Sequence, residues 1–376
     1  MNVRQISRDV FGYLVLIVLL GIVGWIETTH PAGLSLPGLT GGLLSLDTMI
    51  RVGLFTIVLV GLNLLMGYAG QVSLGQAAFY GMGAFFSAIL TTRAGRLGVP
   101  VEISQAWWWA WIVMVGGMLF TATVAYVIGL PILRLRGHYL AMATLGIGVV
   151  VYVLLRENIG VPQLNLTGGA DGVYGIPRLR IGDFVIWPVE RYYVFVWIVA
   201  FIVIALGLNI VNSRYGRVLR AIHSSQSAAE SVGVAVHRHK AQIFALSAAF
   251  ASLAGSLYAH FQVAVVPATF GFTESLQLVI MSSVGGLASI WGAPFGTFTI
   301  LILQELLRTQ LHVIFPGAQG ELEAVAFGVL LVVIMIFMPE GLTTGSIHAY
   351  RRWRATRALR KEIENSAEIM GAEQVN

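Results

Sequence analysis

The fold of this chain is decided by residues 61–85, GLNLLMGYAGQVSLGQAAFYGMGAF. The stretch lies in a long apolar part of the sequence, yet residues 67–85 alone contain five glycines, two glutamines and a serine. A membrane helix normally carries apolar side chains at such positions, because lipid offers no hydrogen-bond partners. The interruption raises the question of whether this protein is only embedded in a bilayer or moves a solute across it.

The composition of the whole chain indicates a membrane protein. Of its 376 residues, 57% are hydrophobic and 11% are charged, and the mean hydropathy is +0.80. Soluble domains are about 25% charged, and several apolar runs here reach the roughly 17–25 residues that cross a bilayer as a helix. We therefore predict an all-α fold, a polytopic transmembrane helical bundle, rather than a β-barrel, whose strands would alternate. The absence of cysteine excludes disulfides and thiolate sites.

The apolar runs predict about ten membrane spans. An even number places both termini on one side of the membrane, and most of the 23 basic residues then share that side. The positive-inside rule assigns that side to the cytoplasm. The first run follows Arg4 and Arg8 and lacks a clear cleavage site, so it is interpreted as a retained span. The predicted spans are 11–26, 49–67, 73–92, 107–132, 139–155, 191–212, 242–262, 274–290, 293–311 and 322–338.

The remaining segments divide the chain into three regions. Residues 1–48 are predicted to form an N-terminal span and an external linker, residues 49–342 the main membrane domain, and residues 343–376 a charged cytoplasmic tail. Within the main domain, residues 156–190 form a long external loop, whose TGGADG sequence predicts tight turns with positive φ. Residues 213–241 form the only long internal loop of the prediction.

No motif for ATP hydrolysis, metal binding or nucleophilic catalysis is found in the sequence. A phosphate-binding loop of the G-x-x-x-x-G-K-[ST] type is excluded, because neither of the two lysines, Lys240 and Lys361, follows a glycine. The eight histidines show no metal-ligand spacing. The net charge of +5 lies in loops between spans, so it indicates membrane topology rather than nucleic-acid binding. We expect no cofactor on this chain.

The first broken segment, residues 67–85 with nearby Asn63, is predicted to line a pathway. Its glycines alone fit close helix packing. Irregular backbone at membrane depth is tolerated where it is buried in protein or lines a wet cavity, and here the polar side chains exceed what packing requires. The residues predicted to line the path are Asn63, Gln71, Ser73 and Gln76.

A second broken segment lies at residues 282–298, SSVGGLASIWGAPFGTF. It also places glycines, a proline and polar groups between two apolar runs. Paired interruptions of this kind in two halves of a chain are typical of transporters with internal repeats and point to the binding site. We therefore predict a possible internal repeat, broken or re-entrant helices, and a place for Ser282 and Ser283 in the path.

The internal loop contains two stretches of helix formers. Arg217 and Arg220 lie three residues apart in YGRVLRAI, and SAAESV, residues 227–232, predicts a short helix that Gly233 ends as a C-cap. The loop is either an incidental interfacial helix or a rigid docking surface for a cytoplasmic partner. Its length among otherwise short inner connections favours docking.

Charged residues within predicted spans include Glu274, Glu305 and Arg308. Charges at membrane depth are costly and are functional candidates by default. Here we expect structural pairing near the outer interface, with Glu305 and Arg308 at the i,i+3 spacing of an ion pair. Nothing in the sequence resembles the chain of acids that proton coupling needs.

Five motifs in the same order resemble LivM-type permeases, the membrane subunits of bacterial branched-chain amino acid ABC importers. The resemblance runs from about residue 49 to 342, which makes this region the permease domain. The motifs are residues 61–85, LRLRGHYLAMATLG (133–146), NLTGGADGVYGIP (165–177), RYGRVLRAIHSSQSAAESVGV (214–234) and the segment 282–298.

The resemblance implies a heteromeric complex in the bacterial inner membrane. A LivH-type permease subunit would pair with this chain, two LivG- and LivF-type ATPase subunits would dock beneath, and a periplasmic or lipid-anchored binding protein would deliver the cargo. ATP and Mg²⁺ would bind to the ATPases, which agrees with the missing phosphate-binding loop. The internal loop matches the family's coupling region. The residues that would meet an ATPase are Ala228, Ala229, Glu230 and Gly233, flanked by Arg217 and Arg220.

The cargo hypothesis is branched-chain or other small amino acids, moved by ATP-driven alternating access. Similar permeases carry urea, short amides or other amino acids, and more distant ones carry simple sugars. An ion-coupled secondary transporter is the main rival, and it would need a membrane acid or sodium site. A membrane enzyme would need clustered catalytic groups, and a scaffold would not need two broken segments.

Overall fold

The computed structural model describes residues 45–135, 137–158 and 165–314, together with the isolated helical positions 12, 16, 21, 325, 328, 329 and 332. Over these residues the chain is a bundle of α-helices, which confirms the predicted fold class. The helices are α1 (Leu46–Asn63), α2 (Gln76–Thr92), α3 (Val101–Ser104), α4 (Trp109–Ile132), α5 (His138–Arg156), α6 (Val189–Asn212), α7 (Arg214–Ser224), α8 (Gln226–Ser231), α9 (Val236–Gln262), α10 (Phe272–Gly285) and α11 (Gly292–Ile314). A π-helical turn continues α1 at Leu64–Tyr68, and short 3₁₀ turns lie at Ala94–Leu97, Gly169–Asp171 and Pro267–Phe270. The strands are β1 (Val173–Tyr174), β2 (Arg180–Ile181), β3 (Phe184–Val185) and β4 (Ala264–Val265).

Eight of the ten predicted spans fall in the described ranges, and each of them is a helix. The largest boundary error concerns α9, which begins at Val236 and not at residue 242, because its charged first turn continues the helical backbone. The internal loop therefore ends near residue 235 instead of residue 241. The first predicted span, the last one and the tail 343–376 lie outside the described residues, apart from the isolated positions.

The helices divide into a buried centre and an apolar periphery. Five described helices are long and apolar enough to cross a membrane: α1 with its π-helical turn, α4, α5, α6 and α9. Within their apolar parts, 89% of the α1 residues and 78% of the α9 residues are buried, but only 11% of the α5 residues. We infer that α1 and α9 form the centre, while α4, α5 and α6 turn large apolar side chains outward, as a lipid-facing surface requires.

The helix α10 is too short to cross a membrane by itself. It has 14 residues, which corresponds to about 21 Å at 1.5 Å per residue. A hydrocarbon core is about 30 Å thick. The predicted span 274–290 is therefore a short, partial helix.

Close contact between α2 and α9 depends on small residues. A Cβ atom on Gly83 would lie 2.1 Å from the carbonyl oxygen of Ser252, and one on Gly255 would lie 1.9 Å from that of Tyr80. The Ser256 hydroxyl donates a hydrogen bond of 3.1 Å to the Gly83 carbonyl. Small residues let membrane helices approach closely and bond across the interface, so these two helices pack backbone against backbone.

Four two-residue strands, which the sequence did not predict, order the predicted external loop. Strand β1 pairs antiparallel with β4 and thus ties the loop to the chain just after α9, while β2 and β3 form a hairpin. Gly168, Gly169 and Gly172 have positive φ, as the TGGADG sequence predicted. A Cβ on Gly172 would lie 2.1 Å from the Val265 carbonyl oxygen, so the β1–β4 contact requires glycine there.

Candidate functional site

The helical backbone is interrupted inside the first broken segment. Helix α1 passes into the π-helical turn at Leu64–Tyr68, and α2 begins only at Gln76. Between them the chain is not helical, and Gly70 has a φ of 66°, which residues with a side chain rarely adopt. The predicted break is confirmed. The π-helical turn, a feature frequent at functional sites, was not predicted.

The glycines of this segment serve close packing, as one of the two interpretations expected. A Cβ on Gly67 would lie 1.7 Å from the Leu287 carbonyl oxygen, and one on Gly75 would lie 2.3 Å from that of Thr144. The backbone N–H of Leu74 also donates to the Thr144 hydroxyl at 3.0 Å. The non-helical chain between α1 and α2 is therefore held directly against α5 and against the second broken segment.

The polar side chains of the same segment are buried and only partly satisfied. Gln71, Ser73 and Gln76 are at most 1% exposed. The Gln76 amide nitrogen donates to the carbonyl and hydroxyl oxygens of Ser247, both at 3.0 Å. Among the described residues, both amide atoms of Gln71, the Ser73 hydroxyl and Gln76 Oε1 have no hydrogen-bond partner. A buried polar group without a partner costs about 1–3 kcal/mol, so a hydrogen bond from water or a solute would stabilise these atoms.

The second broken segment meets the first through Asn63. Between α10 and α11 the backbone turns at Gly286, which has a φ of 102°. The Asn63 side-chain nitrogen donates to the Ser289 carbonyl at 2.8 Å, and its oxygen accepts from the Ser282 hydroxyl. Ser283 instead donates to a carbonyl within α10. Of the predicted path residues, the structure joins Asn63 and Ser282 and leaves Ser283 apart.

Two short helices, α7 and α8, form the loop that is predicted to be internal. The Ser213 hydroxyl caps α7 and the Ser225 hydroxyl caps α8, each by accepting from backbone N–H groups of the first turn. Gly233 follows α8 with a φ of 84°. The predicted short helix and its terminal glycine are confirmed, with α8 one residue earlier than expected.

Most of the predicted coupling residues lie on one exposed patch. After their predicted role, we call the following five residues the docking surface: Arg217, Arg220, Ala228, Glu230 and Gly233, all exposed. Ala229 differs, because it is 3% exposed and packs with Ile222 and Val236 under the two helices. Val232, which the sequence did not single out, lies beside the patch and is 78% exposed.

Tyr215 anchors α7 on the beginning of α9. Its hydroxyl donates to the His239 carbonyl at 3.0 Å. Burial raises the pKa of Tyr215 to about 12, so the hydroxyl keeps its proton at physiological pH and the hydrogen bond persists. The helix that carries Arg217 and Arg220 is thereby fixed to a helix at the centre of the bundle.

His223, near the end of α7, links the docking surface to the first broken segment. Its Nδ1 atom lies 3.0 Å from the Gly67 carbonyl oxygen. A Cβ on Gly70 would lie 3.3 Å from the same imidazole. Gly67 in turn abuts Leu287 of the second broken segment, so one side chain connects the docking helices to both. Sequence patterns did not single out His223, because a lone exposed histidine carries no recognisable spacing.

These features define a polytopic helical membrane protein in which two broken segments meet beside two short helices with an exposed surface. The model of the family described as "Branched-chain amino acid transport system / permease component" matches residues 44–338. The chain belongs to this family. The resemblance inferred from the five motifs is thereby confirmed.

Individual relatives include both kinds of permease protein. The chain is 30% identical over 322 residues to the high-affinity branched-chain amino acid transport system permease protein LivM of Salmonella typhimurium, and equally to that of Escherichia coli, with 79% of this chain and 69% of each relative covered. It is 27% identical to a probable LivM of Methanocaldococcus jannaschii, with 78% of this chain and 91% of the relative covered. It is also 24% identical to the LivH permease protein of Escherichia coli, with 77% of this chain and 90% of the relative covered. No solved structure matches the chain significantly.

Proposed function

We propose that this permease component forms part of the translocation path of an ATP-driven importer for branched-chain and other small amino acids. The family match supports the cargo class, since the relatives named LivM and LivH are described as branched-chain amino acid permeases. Similarity to both kinds of relative supports a pair of related subunits, this chain and a LivH-type partner. The region 49–342 would supply the permease domain.

The proposed complex adds two LivG- and LivF-type ATPases and a substrate-binding protein on the outer face. The exposed docking surface and the basic residues around it support contact with cytoplasmic subunits. ATP and Mg²⁺ would be bound by those subunits. The positive-inside bias supports cytoplasmic termini and a bacterial inner-membrane location.

The main observation in support of the mechanism is a series of contacts that leads from the docking surface to both broken segments. His223 touches Gly67, and Gly67 lies against Leu287. A displacement of α7 by an ATPase would therefore act at once on the junction where α1, α10 and α11 meet. Small shifts at such packed junctions are converted into discrete rearrangements, and alternating access is the rearrangement that a transporter requires.

The proposed path includes the polar residues around that junction. Gln71, Ser73 and Gln76 contribute buried atoms without partners, which a hydrated or occupied path would satisfy. The remaining path residues are Asn63, Ser282 and Ser283. Few charges line this junction, which suits brief passage, because high affinity can reside in the binding protein.

Reconstitution into proteoliposomes tests this proposal. The purified chain would be combined with its LivH-type partner, both ATPases and the binding protein, and uptake of radiolabelled L-leucine would be measured together with ATP hydrolysis. We expect uptake only when all components and ATP are present. Urea and acetamide would be offered in parallel to compare the cargo classes.

Two outcomes would contradict the proposal. Uptake by this chain alone, driven by an ion gradient, would identify a secondary transporter. Uptake of urea without uptake of any branched-chain amino acid would assign the importer to the neutral-amide class.

A further inference from the structure

A cavity of about 200 Å³ lies between α1, α2, α9, α10 and α11. At roughly 30 Å³ per water molecule, this volume corresponds to six or seven waters, which suits a small solute. Arg51 on α1 lies twelve residues before Asn63, and Gln304 on α11 lies twelve residues after Gly292. At 1.5 Å per residue, the cavity is about 18 Å along both helices from the junction of the broken segments. It therefore occupies the half of the bundle remote from the docking surface.

Two opposite charges line this cavity without pairing to each other. Arg51 and Glu274 both contribute to its wall, but they form no ion pair within 4.0 Å. Arg51 instead contacts the Asp47 carboxylate at 3.5 Å. Among the described residues, Glu274 has neither a hydrogen bond nor an ion pair. A carboxylate at this depth is costly unless something compensates its charge.

The rest of the wall combines neutral polar groups with apolar side chains. The Gln277 amide nitrogen donates to the Gln304 side-chain oxygen at 3.0 Å, which leaves the opposite amide end of each side chain available. Leu54 and Leu301 add aliphatic surface. The wall is thus mixed, with polar groups that converge beside apolar side chains, and convergent polar groups are what orient a ligand in a small-molecule site.

We propose that this cavity is a cargo subsite for the zwitterionic end of an amino acid, with Arg51 receiving the α-carboxylate and Glu274 the α-ammonium group. A neutral amide would not need two opposite charges that are held apart from each other, and a simple anion or cation would need only one. The leucines lie where an aliphatic side chain can be accommodated. The inference rests on the proposed function and specifies where the cargo first enters the membrane subunit.

The test uses the complete reconstituted importer with saturating, L-leucine-loaded binding protein. Uptake and binding-protein-stimulated ATP hydrolysis are measured for Arg51→Gln, Glu274→Gln and the control Glu102→Gln, an exposed acid outside the cavity. We expect uptake to fall about tenfold or more in each cavity variant, since hydrogen bonds to charged groups are stronger than those between neutral groups. Stimulated ATP hydrolysis should stay within about twofold of wild type, which shows that the complex is folded and assembled, and Glu102→Gln should behave as wild type.

Asp47→Asn separates a cargo role of Arg51 from a structural one. This variant removes the ion-pair partner of Arg51 but does not alter the cavity wall. We expect it to keep most of the uptake that Arg51→Gln loses, and equal losses in the two variants would overturn the assignment of Arg51. Normal uptake in both cavity variants, or loss of stimulated ATP hydrolysis together with uptake, would overturn the subsite. If wild type itself takes up no L-leucine, the proposed function fails instead.

Discussion

Glycines in the first broken segment matter because they lack a side chain, which lets the backbone of other elements approach closely. Gly67 and Gly75 are surrounded by the backbone of other elements, and backbone cannot move aside as a flexible side chain does. The polar neighbours of these glycines are buried by the same close approach. The two interpretations of the segment are therefore compatible, because the glycines create the packing and the packing encloses the polar groups.

Gly67→Ala is expected to destabilise the protein. Its new Cβ would lie 1.7 Å from the Leu287 carbonyl oxygen, and overpacking of this kind costs about 1–3 kcal/mol. The thermal midpoint of the purified protein in detergent should fall by several degrees. Gly146→Ala in α5 is the matched control, since nothing lies within 4 Å of its Cβ position, and there the better helix propensity of alanine should hold or raise the midpoint. Equal midpoints for the two variants would argue against the described contact.

Gln71→Leu is expected to preserve stability and to reduce uptake. The substitution removes an amide that has no partner among the described residues, and deletion of an unsatisfied buried group is neutral or stabilising. A path that uses this amide would nevertheless lose transport, measured as L-leucine uptake by proteoliposomes. Ser87→Ala on α2 also removes a buried, unpartnered group, but it lies three turns beyond the break and should leave uptake unchanged. Full uptake by Gln71→Leu would exclude Gln71 from the path.

The element most important for the proposed coupling is α7, because it contacts three other parts of the molecule. Tyr215 fixes it to the start of α9, the cluster of Ile222, Ala229 and Val236 joins it to α8, and His223 reaches the first broken segment. The other face of α7 carries the arginines of the docking surface. These contacts hold α7 against three neighbours, which supports the proposal that a displacement of α7 reaches the first broken segment.

His223→Ala is expected to impair the coupling of ATP hydrolysis to transport. Loss of the 3.0 Å contact with the Gly67 carbonyl removes a hydrogen bond worth about 0.5–1.5 kcal/mol. We expect uptake per ATP hydrolysed to fall roughly two- to tenfold, while ATP hydrolysis itself continues. His138→Ala, an exposed histidine at the start of α5, provides the control. A ratio of uptake to hydrolysis equal to wild type in His223→Ala would mean that this contact transmits nothing.

At the scale of elements, the sequence predicts which helices exist better than it predicts which elements contact one another. Each of the eight apolar runs in the described ranges is a helix, because a hydrophobic helix needs only local composition to enter lipid. The predicted span missed the first turns of α9, because the segment VHRHKA at residues 236–241 is helical but not an apolar run. The β1–β4 pair and the cavity beside Glu274 join residues far apart in the chain, and one sequence holds no signal for such contacts.

At the scale of the whole molecule, the two proposed functional regions lie at opposite ends of the bundle. The docking surface and both broken segments lie at one end, and the cavity with Arg51 and Glu274 lies about 18 Å away along the helices. We therefore propose that cargo binds at one end of the bundle and that the ATPases act at the other end. The helices α1, α10 and α11 connect the two ends.

Glu230→Lys is expected to weaken assembly with the ATPase subunits. Glu230 is exposed on the docking surface, and reversal of a charge at an interface creates unfavourable juxtapositions. We expect the ATPase that co-purifies with the tagged permease to decrease about tenfold, equivalent to about 1.4 kcal/mol. The control is Glu157→Lys, an equally exposed acid at the end of α5, which should retain the ATPases. Undiminished co-purification of Glu230→Lys would remove this residue from the docking surface.

The burial of α9 also bears on how the protein is made. It is the least apolar of the five candidate spans, with a mean hydropathy of 1.4 against 2.8 for α6, and alanine, serine and glycine fill much of its surface. Such a helix gains little from lipid alone, whereas contacts with α1, α2 and α4, all synthesised earlier, enclose it. We therefore expect α9 to enter the bilayer only in the company of these helices, so that its insertion during biosynthesis is already a step of tertiary folding.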